Sequence, residues 1–228
     1  MNTNNTTRYS KYAAALTAAT SMISSASAAV ITFGSADLST SATDISTNGT
    51  LVEAINLVSD DSQIGGGTLD INGVTFTNTN LLGNNYAFTT GVSTGDANLD
   101  VLFSTLGYTG AAVQTLTGLT NGQQYELQLF IGDGRGFTAG RTMTFGDNDG
   151  DTGNDATHTY SDGAGTILEG TSAIGTFTAV GTTQDFIFGV DGGPGGDLNA
   201  YQLRAIPEPS SLALLGLGGL ALVFRRRK

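Results

Sequence analysis

Apolar and polar residues alternate over several short segments of this chain, and this alternation most narrows the folds that it can adopt. The clearest segment is 124–131, in which every second residue is apolar: Tyr125, Leu127, Leu129 and Ile131. A period of two places these side chains on one face of a β-strand. Clusters of Gly, Asn, Asp and Ser separate the segments and are typical of turns. The pattern predicts an all-β fold, an antiparallel β-sandwich of the jelly-roll kind.

Other segments rich in β-branched and aromatic residues extend this prediction along the chain. The expected strands are 30–33, 51–57, 67–76, 112–116, 141–145, 157–160, 174–179, 186–190 and 201–203. One segment, 97–106, instead has apolar residues at helical spacing, namely Leu99, Leu102, Phe103 and Leu106. It predicts one short helix with Asp96 or Asn98 as its N-cap.

The segment before the clearest strand, 116–122, is rich in Gly, Thr and Asn and leads into Tyr125. It resembles the turn and tyrosine that begin a strand in fibronectin-type sandwiches. The resemblance implies that the Tyr125 hydroxyl forms a hydrogen bond with the preceding loop.

The N-terminal residues 1–28 have the order of a secretory signal peptide. Arg8 and Lys11 come first, an apolar run covers 13–23, and the small residues Ala26 and Ala28 form an A-x-A cleavage site. The alternative is an alanine-rich amphipathic first helix. The signal peptide is the better interpretation, because both the basic flank and the small residues fit export.

The C-terminal residues 207–228 combine three features in a fixed order. The motif Pro207, Glu208 and Pro209 is followed by an apolar stretch, 212–224, which we expect to form a hydrophobic helix, and then by Arg225, Arg226, Arg227 and Lys228. The stretch is shorter than the roughly 20 residues that span a bilayer comfortably. The basic end is expected to stay cytoplasmic, with the body of the protein outside.

This C-terminal arrangement resembles the PEP-CTERM sorting signal of Gram-negative bacteria; an ordinary tail anchor is the alternative. The resemblance implies export across the inner membrane, transient membrane insertion and processing near Pro-Glu-Pro by an exosortase. It also implies a cell-surface or extracellular destination and an association with exopolysaccharide.

Between the two terminal segments lies one expected domain, residues 29–206. Three arginines and 19 acidic residues give it a net charge of 3 − 19 = −16. Short motifs within it resemble an extracellular module with a galactose-binding-like jelly roll: 31–34, 46–51, 72–76, 133–135, Arg141, 174–179 and 198–204. That fold hosts glycan binding, adhesion and purely structural roles alike.

Calcium is the candidate cofactor, because acidic residues alternate in one loop. The candidate ligands are Asp147, Asp149, Asp151 and Asp155, whose oxygens suit a hard cation. The spacing resembles the start of an EF-hand, but Thr152 replaces the required Gly and His158 the required Glu. The alternative is a solvated acidic loop between two strands.

A second candidate site is the loop that follows the clearest strand. Arg135 and Arg141 are candidates for gripping a carboxylated sugar, and Phe137 between them offers a stacking face. The alternative is that these arginines pair within the protein with acidic residues, for which Asp133, Asp185 and Asp197 are candidates.

Composition excludes several classes of function. Without cysteine the chain has no disulfide and no cysteine-ligated metal. A net charge of −11 has the wrong sign for a nucleic-acid partner. His158 lies in an expected strand without a nucleophile motif, so we predict no enzyme and no catalytic residues. Two functions remain: a non-enzymatic surface or matrix protein, or a carbohydrate-binding module that uses calcium.

Overall fold

A computed structural model describes residues 28–58, 67–87, 92–109, 113–132, 142–159, 170–190 and 196–207. In these ranges the chain forms one helix, α1 (Ala97–Phe103), one 3-10 turn (Ala42–Asp44) and fifteen strands. The strands are β1 (Thr32–Phe33), β2 (Asp37–Ser39), β3 (Thr50–Asn56), β4 (Thr68–Ile71), β5 (Val74–Asn78), β6 (Asn84–Ala87), β7 (Thr105–Thr109), β8 (Val113–Thr117), β9 (Gln124–Ile131), β10 (Thr142–Gly146), β11 (Ala156–Thr159), β12 (Gly170–Thr178), β13 (Thr183–Val190), β14 (Gly196–Leu198) and β15 (Ala200–Ile206). No helix in the described ranges is long and apolar enough to cross a membrane.

The strands form three sheets. The large sheet has the order β1-β12-β9-β15-β3-β5-β4. The short strand β2 also pairs with β12, at residues 170–172, whereas β1 pairs with residues 175–176. The second sheet is β11-β10-β13-β8, and the third is β14-β7-β6. All strand pairs are antiparallel except the short pair β3–β5. The predicted all-β class with an antiparallel sandwich is confirmed.

The sandwich core lies between the large sheet and the second sheet. Alternation in β9 buries Leu127 and Leu129 on the same face as their cross-strand neighbours Leu203 and Tyr201 of β15. The ring of Phe186, from the second sheet, lies 5.6 Å from the ring of Tyr201, from the large sheet. Edge-to-face aromatic contacts of this kind add to the burial that holds the two layers together.

The other face of the large sheet is covered as well. Phe130 of β9 packs edge-on against Phe76 at 5.6 Å, and α1 adds the buried Leu99, Leu102 and Phe103. A Cβ at Gly170 would lie 2.4 Å from the Phe103 ring, so this glycine makes room for the helix. The central strands are therefore buried on both faces, which explains why β9 is buried from Tyr125 to Ile131.

Two predicted elements differ from the structure. The segment 67–76 is a hairpin, because Asn72 and Gly73 both have positive φ (51° and 75°) and form the turn between β4 and β5. The predicted helix ends at Phe103, and Leu106 belongs to β7. Its predicted N-cap is confirmed, since the Asp96 side chain accepts from the amides of residues 98 and 99.

The predicted hydrogen bond of Tyr125 is also confirmed. Its hydroxyl accepts from the backbone N–H of Thr120 at 2.9 Å, within the turn that precedes β9.

Candidate functional site

The acidic loop, residues 147–155, joins β10 to β11. Two of its residues have a left-handed backbone conformation. Asn148 and Gly150 have φ of 67° and 86°. Each carboxylate in its first half accepts a hydrogen bond from the backbone N–H two residues later. The distances are 3.2 Å for Asp147, 2.6 Å for Asp149 and 2.9 Å for Asp151. These Asx turns stabilise the conformation of the loop.

Asp147 differs from its neighbours because it is buried, with 2% of its surface exposed. Its Oδ2 accepts from the backbone N–H of Ile31 at 2.7 Å and from the side-chain amide of Asn154 at 3.0 Å. The amide of Phe33 in turn donates to the carbonyl of Asn154. Asp147 therefore ties the acidic loop to the chain that enters β1.

Asp155 lies close to the other three carboxylates of the acidic loop. Burial raises its pKa, and the negative charges of Asp147, Asp149 and Asp151 raise it further. Its carboxylate also covers Gly146, where a Cβ would lie within 2.1 Å of Oδ1. The other three residues that sequence analysis selected therefore all act on the charge of Asp155.

We expect Asp151→Asn to lower the pKa of Asp155, because it removes one like charge while its Oδ1 still accepts from Gly153. A raised pKa means that the folded state holds the proton of Asp155 more tightly than the unfolded chain. Asp155 therefore lowers the free energy of unfolding as the pH rises from its ordinary pKa to its raised pKa.

Asp151→Asn should consequently be slightly more stable than wild type at neutral pH, and this difference should vanish in acid. NMR titration of the Asp155 carboxyl carbon, with urea unfolding at several pH values, measures both effects. The control is Asp70→Asn, an exposed carboxylate in the β4–β5 hairpin. An unchanged Asp155 titration in Asp151→Asn would contradict the proposed repulsion.

Within the described residues, no group of three or more His, Asp or Glu side chains is arranged to hold a metal ion. One observation nevertheless favours a cation near this loop. Oδ1 of Asn154 is the only buried side-chain polar atom in the described ranges that has no hydrogen-bond partner. Calcium binding by Asp147, Asp149, Asp151 and Asp155 stays a prediction.

The predicted ligand-binding residues Arg135, Phe137 and Arg141 lie outside the described residues. The third arginine of the domain, Arg204 on β15, is described and is 7% exposed. Asp185, one of the acidic residues considered as an arginine partner, accepts from the Thr115 hydroxyl at 2.6 Å.

Arg204 binds a short segment that crosses the large sheet, Ser46–Gly49, which we call the clamp segment. Its guanidinium donates to the carbonyls of Thr47 (3.3 Å), Asn48 (2.7 Å) and Gly49 (3.2 Å). Directly opposite on β9, the buried Glu126 accepts from the Ser46 hydroxyl and the Asn48 amide. Polar residues on the covered face of the sheet therefore fasten the clamp segment to β15.

Beside the clamp segment, a pocket of about 290 Å³ opens on the same face of the large sheet. Its lining comes from β2, β9, β12, the 3-10 turn and the chain after β1: Gly34, Ser35, Asp37, Leu38, Asp44, Gln128, Ser172 and Ile174. We call it the outer pocket. Sequence analysis did not select it, because its residues are far apart in the chain and form no motif.

The outer pocket has an apolar part and a polar part. Leu38 and Ile174 are 50% and 37% exposed. The Asp37 carboxylate forms no hydrogen bond within the described part of the chain, whereas one oxygen of Asp44 accepts from the amides of residues 40 and 41. Ser172 Oγ accepts from Ser39 and Gln128, which leaves its own proton to donate. The pocket thus offers free acceptors, one donor and an apolar wall.

The last described strand ends where the C-terminal motif begins. β15 lies between β9 and β3, and Ile206 is paired with Gln124. Pro207 follows directly and is exposed, while the remaining motif residues Glu208, Pro209, Arg225, Arg226 and Arg227 lie outside the described ranges. Of the predicted signal-peptide cleavage residues, Ala28 is described and Ala26 is not. No linker separates the folded domain from the motif.

Residues 205–228 match the family model of the PEP-CTERM protein-sorting motif. The match covers the segment that sequence analysis assigned to this signal. It indicates an exported protein that is sorted by an exosortase, from a membrane-anchored precursor in a Gram-negative bacterium.

No curated protein matches this chain. Among solved structures, the chain is similar to the crystal structure of a β-glucuronidase from Bacteroides uniformis, with 17% identity and a TM-score of 0.45. The similarity covers 68% of this chain and 18% of that one, so this chain spans less than a fifth of the enzyme's length. A similarity at this level supports no inference about the fold or activity of this protein.

Proposed function

We propose that this protein is a non-enzymatic surface or matrix protein that an exosortase processes and that remains with exopolysaccharide. The observation that carries the proposal is the junction between β15 and the sorting motif. The last strand ends at Ile206 and the motif begins at Pro207. Cleavage near Pro-Glu-Pro would leave every described strand in place, so processing releases an intact sandwich.

The charge of the domain supports a hydrated matrix component. With a net charge of 3 − 19 = −16 in residues 29–206, the domain repels anionic polymers and stays soluble. We therefore propose that it associates with the neutral part of an exopolysaccharide rather than with an acidic one.

The test compares the host with and without its exosortase. We expect a mature chain shortened by about the 22 residues of 207–228 in the wild-type host, and an unprocessed, membrane-bound chain in the host that lacks exosortase. Glu208→Ala should reduce processing, whereas Asp185→Ala, outside the motif, should not. Mass spectrometry of the surface and membrane fractions provides the measurement. Processing that persists without exosortase would contradict the proposal.

A second candidate function, a carbohydrate-binding module, is favoured by the outer pocket. Its volume of about 290 Å³ is at the lower end of small-molecule sites and suits a single sugar ring. The apolar wall of Leu38 and Ile174 would contact the C–H face of the ring, while Asp37 and Asp44 would accept from its hydroxyls. Two carboxylates disfavour an acidic sugar, so the ligand of this module would be a neutral monosaccharide unit.

Binding of the host's neutral polysaccharide, measured by calorimetry and on a glycan array, tests this candidate. We expect Asp37→Ala and Leu38→Ala each to weaken binding about tenfold, equivalent to roughly 1.4 kcal/mol. Val113→Ala is the matched control, because Val113 is 44% exposed on β8 of the other sheet. An equal loss in all three variants, or no saturable binding by wild type, would exclude the outer pocket as a sugar site.

Calcium belongs to this second candidate as a proposed cofactor of the acidic loop. Two observations support it: the unpartnered Asn154 Oδ1 and the repulsion of Asp155 by the other three carboxylates. A bound cation would relieve both. We expect calcium to raise the Tm of the wild type and to have no such effect on Asp155→Asn. An equal Tm of wild type with calcium and with chelator would rule out the calcium site.

A further inference from the structure

The first five residues after the predicted signal peptide, 29–33, are built into the fold, and we call them the N-terminal strap. Ala29, Ile31 and Phe33 are 7%, 0% and 7% exposed, whereas the two residues between them are exposed. A Cβ at Gly175 would lie 2.7 Å from the Ile31 side chain and 2.8 Å from the Phe33 ring. This glycine makes room for the strap, which is therefore part of the core.

Hydrogen bonds fasten the N-terminal strap to two parts of the fold. On one side, β1 pairs with β12 of the large sheet. On the other side, the backbone N–H of Ile31 donates to Asp147 Oδ2 at 2.7 Å. The carbonyl of Ile31 accepts from the side-chain amide of Asn154 at 3.0 Å. The strap thus lies between the large sheet and the acidic loop.

The backbone nitrogen of Ala29 has a buried acceptor of its own. It donates at 2.9 Å to Oε1 of Gln184 on β13, and Gln184 is 2% exposed. Nε2 of Gln184 donates to the carbonyl of Asp185 at 2.9 Å, which orients the side chain with its oxygen toward Ala29. Ala28, the preceding residue, is exposed. The chain therefore enters the fold between Ala28 and Ala29.

The peptide bond between these two residues is the one that removal of the predicted signal peptide breaks. The small residues Ala26 and Ala28 predict cleavage directly after Ala28. Water hydrolyses the bond, which leaves a carboxylate on Ala28 and an amino group on Ala29 that takes up a proton. Cleavage there leaves the whole strap in the mature chain. It also places a new α-ammonium where the amide nitrogen already contacts Gln184.

The charges around this position favour an ammonium group. Two residues advance the chain by at most about 7 Å, and the nitrogen of Ile31 lies 2.7 Å from Asp147 Oδ2. The nitrogen of Ala29 is therefore within about 10 Å of that carboxylate, a distance over which salt screens only part of the attraction. The acidic loop carries three more aspartates. Residues 29–206 contain no lysine, so this ammonium is the one amine of the domain.

We propose that removal of the signal peptide creates a structural ion site, in which the α-ammonium of Ala29 binds Oε1 of Gln184 close to the acidic loop. A hydrogen bond from a charged donor is stronger than the neutral one that it replaces. Processing at the N-terminus therefore stabilises the folded domain. This inference rests on the predicted signal peptide and goes beyond the sorting function, which concerns the other terminus.

The test compares free and acetylated forms of the same chain. It uses residues 29–228 in a mild detergent, with Lys228→Arg, which removes the one lysine of this chain. An acetylating reagent then finds a single amine. Acetylation keeps an N–H that can donate to Gln184, as the precursor amide does, and removes only the charge. All samples contain a chelator, which separates this effect from the proposed calcium site.

We expect acetylation to lower the Tm by about 2 to 4 °C at about pH 6, where an α-amino group is protonated. A chain that starts at Ser27 is the matched control, because its amino group is two residues away from the nitrogen that contacts Gln184. Acetylation of this control should leave the Tm unchanged. In Gln184→Met, which removes the acceptor, acetylation at Ala29 should lower the Tm by less than half as much.

The results that would overturn this proposal are distinct. Equal Tm values of the free and acetylated chains would show that the charge contributes nothing. An equal effect of acetylation on the chain that starts at Ser27, or in Gln184→Met, would show that no specific site exists. N-terminal sequencing of the exported chain that finds a first residue other than Ala29 would also overturn it. None of these results affects the sorting function, which is tested at the C-terminus.

Discussion

Gly49→Ala is expected to destabilise the fold by about 3 kcal/mol, from left-handed backbone strain together with overpacking. Gly49 has φ of 68°, where a Cβ is strained. A Cβ would also lie 2.3 Å from the carbonyl oxygen of Ala205 and 3.1 Å from the Ile206 side chain. Both contacts are with the central strand β15, which cannot move aside without breaking its pairing.

Gly118→Ala is the matched control for this prediction. Gly118 has φ of 73°, but a Cβ there has nothing within 4 Å. We expect it to cost only the backbone strain of about 1 to 2 kcal/mol. Urea unfolding of the two variants separates the steric part from the conformational part. Equal losses would show that the close approach of Gly49 to β15 is unimportant.

Arg204→Met is expected to cost about 3 kcal/mol, because a buried acceptor that loses its donor costs about 1 to 3 kcal/mol. The substitution removes the donor to three carbonyls of the clamp segment and leaves them without this partner. It also leaves the buried Glu126, on the paired position of β9, without its cross-strand positive charge. Arg204→Lys should recover only part of the loss, because an ammonium group cannot reproduce the guanidinium geometry.

A double-mutant cycle checks this account. Glu126→Gln should cost less in the Arg204→Met background than in wild type, because the carboxylate has then already lost its neighbouring charge. Denaturant unfolding of the four proteins measures the coupling free energy. Strictly additive losses would mean that Arg204 acts on the clamp segment alone.

The clamp segment also contacts the strand that leads into the sorting motif. Arg204 and Gly49 both fasten it to β15, whose last residue precedes Pro207. Loss of either contact would loosen the strand that presents the motif. Variants at both positions should therefore be examined for processing as well as for stability.

Local sequence patterns predicted much of the secondary structure. Alternation located β9, β13 and β15, and the Asp96 cap located the start of α1. Short strands that have no alternating pattern, such as β2, β6 and β14, were not predicted. The hairpin between β4 and β5 was missed although its turn, Asn72-Gly73, is a strong hairpin signal.

The position of Arg204 could have been anticipated in part. Polar residues occupy alternate positions on two neighbouring strands: Glu126 and Gln128 on β9, and Gln202 and Arg204 on β15. The alternation places each pair on one face of its strand. Such a face is usually solvent-exposed. Here the clamp segment and the 3-10 turn cover this face. The sequence of a strand does not show which other segment of the chain will pack on it.

The sequence by itself determined the all-β class, most of the central strands and the sorting signal, because each depends on residues that are neighbours in the chain. Only the tertiary structure decided the covered polar face and the outer pocket. These features join residues from segments that are far apart in sequence, and strand order and register bring them together. Local propensity carries no information about that pairing, since it arises from the packing of the whole sandwich.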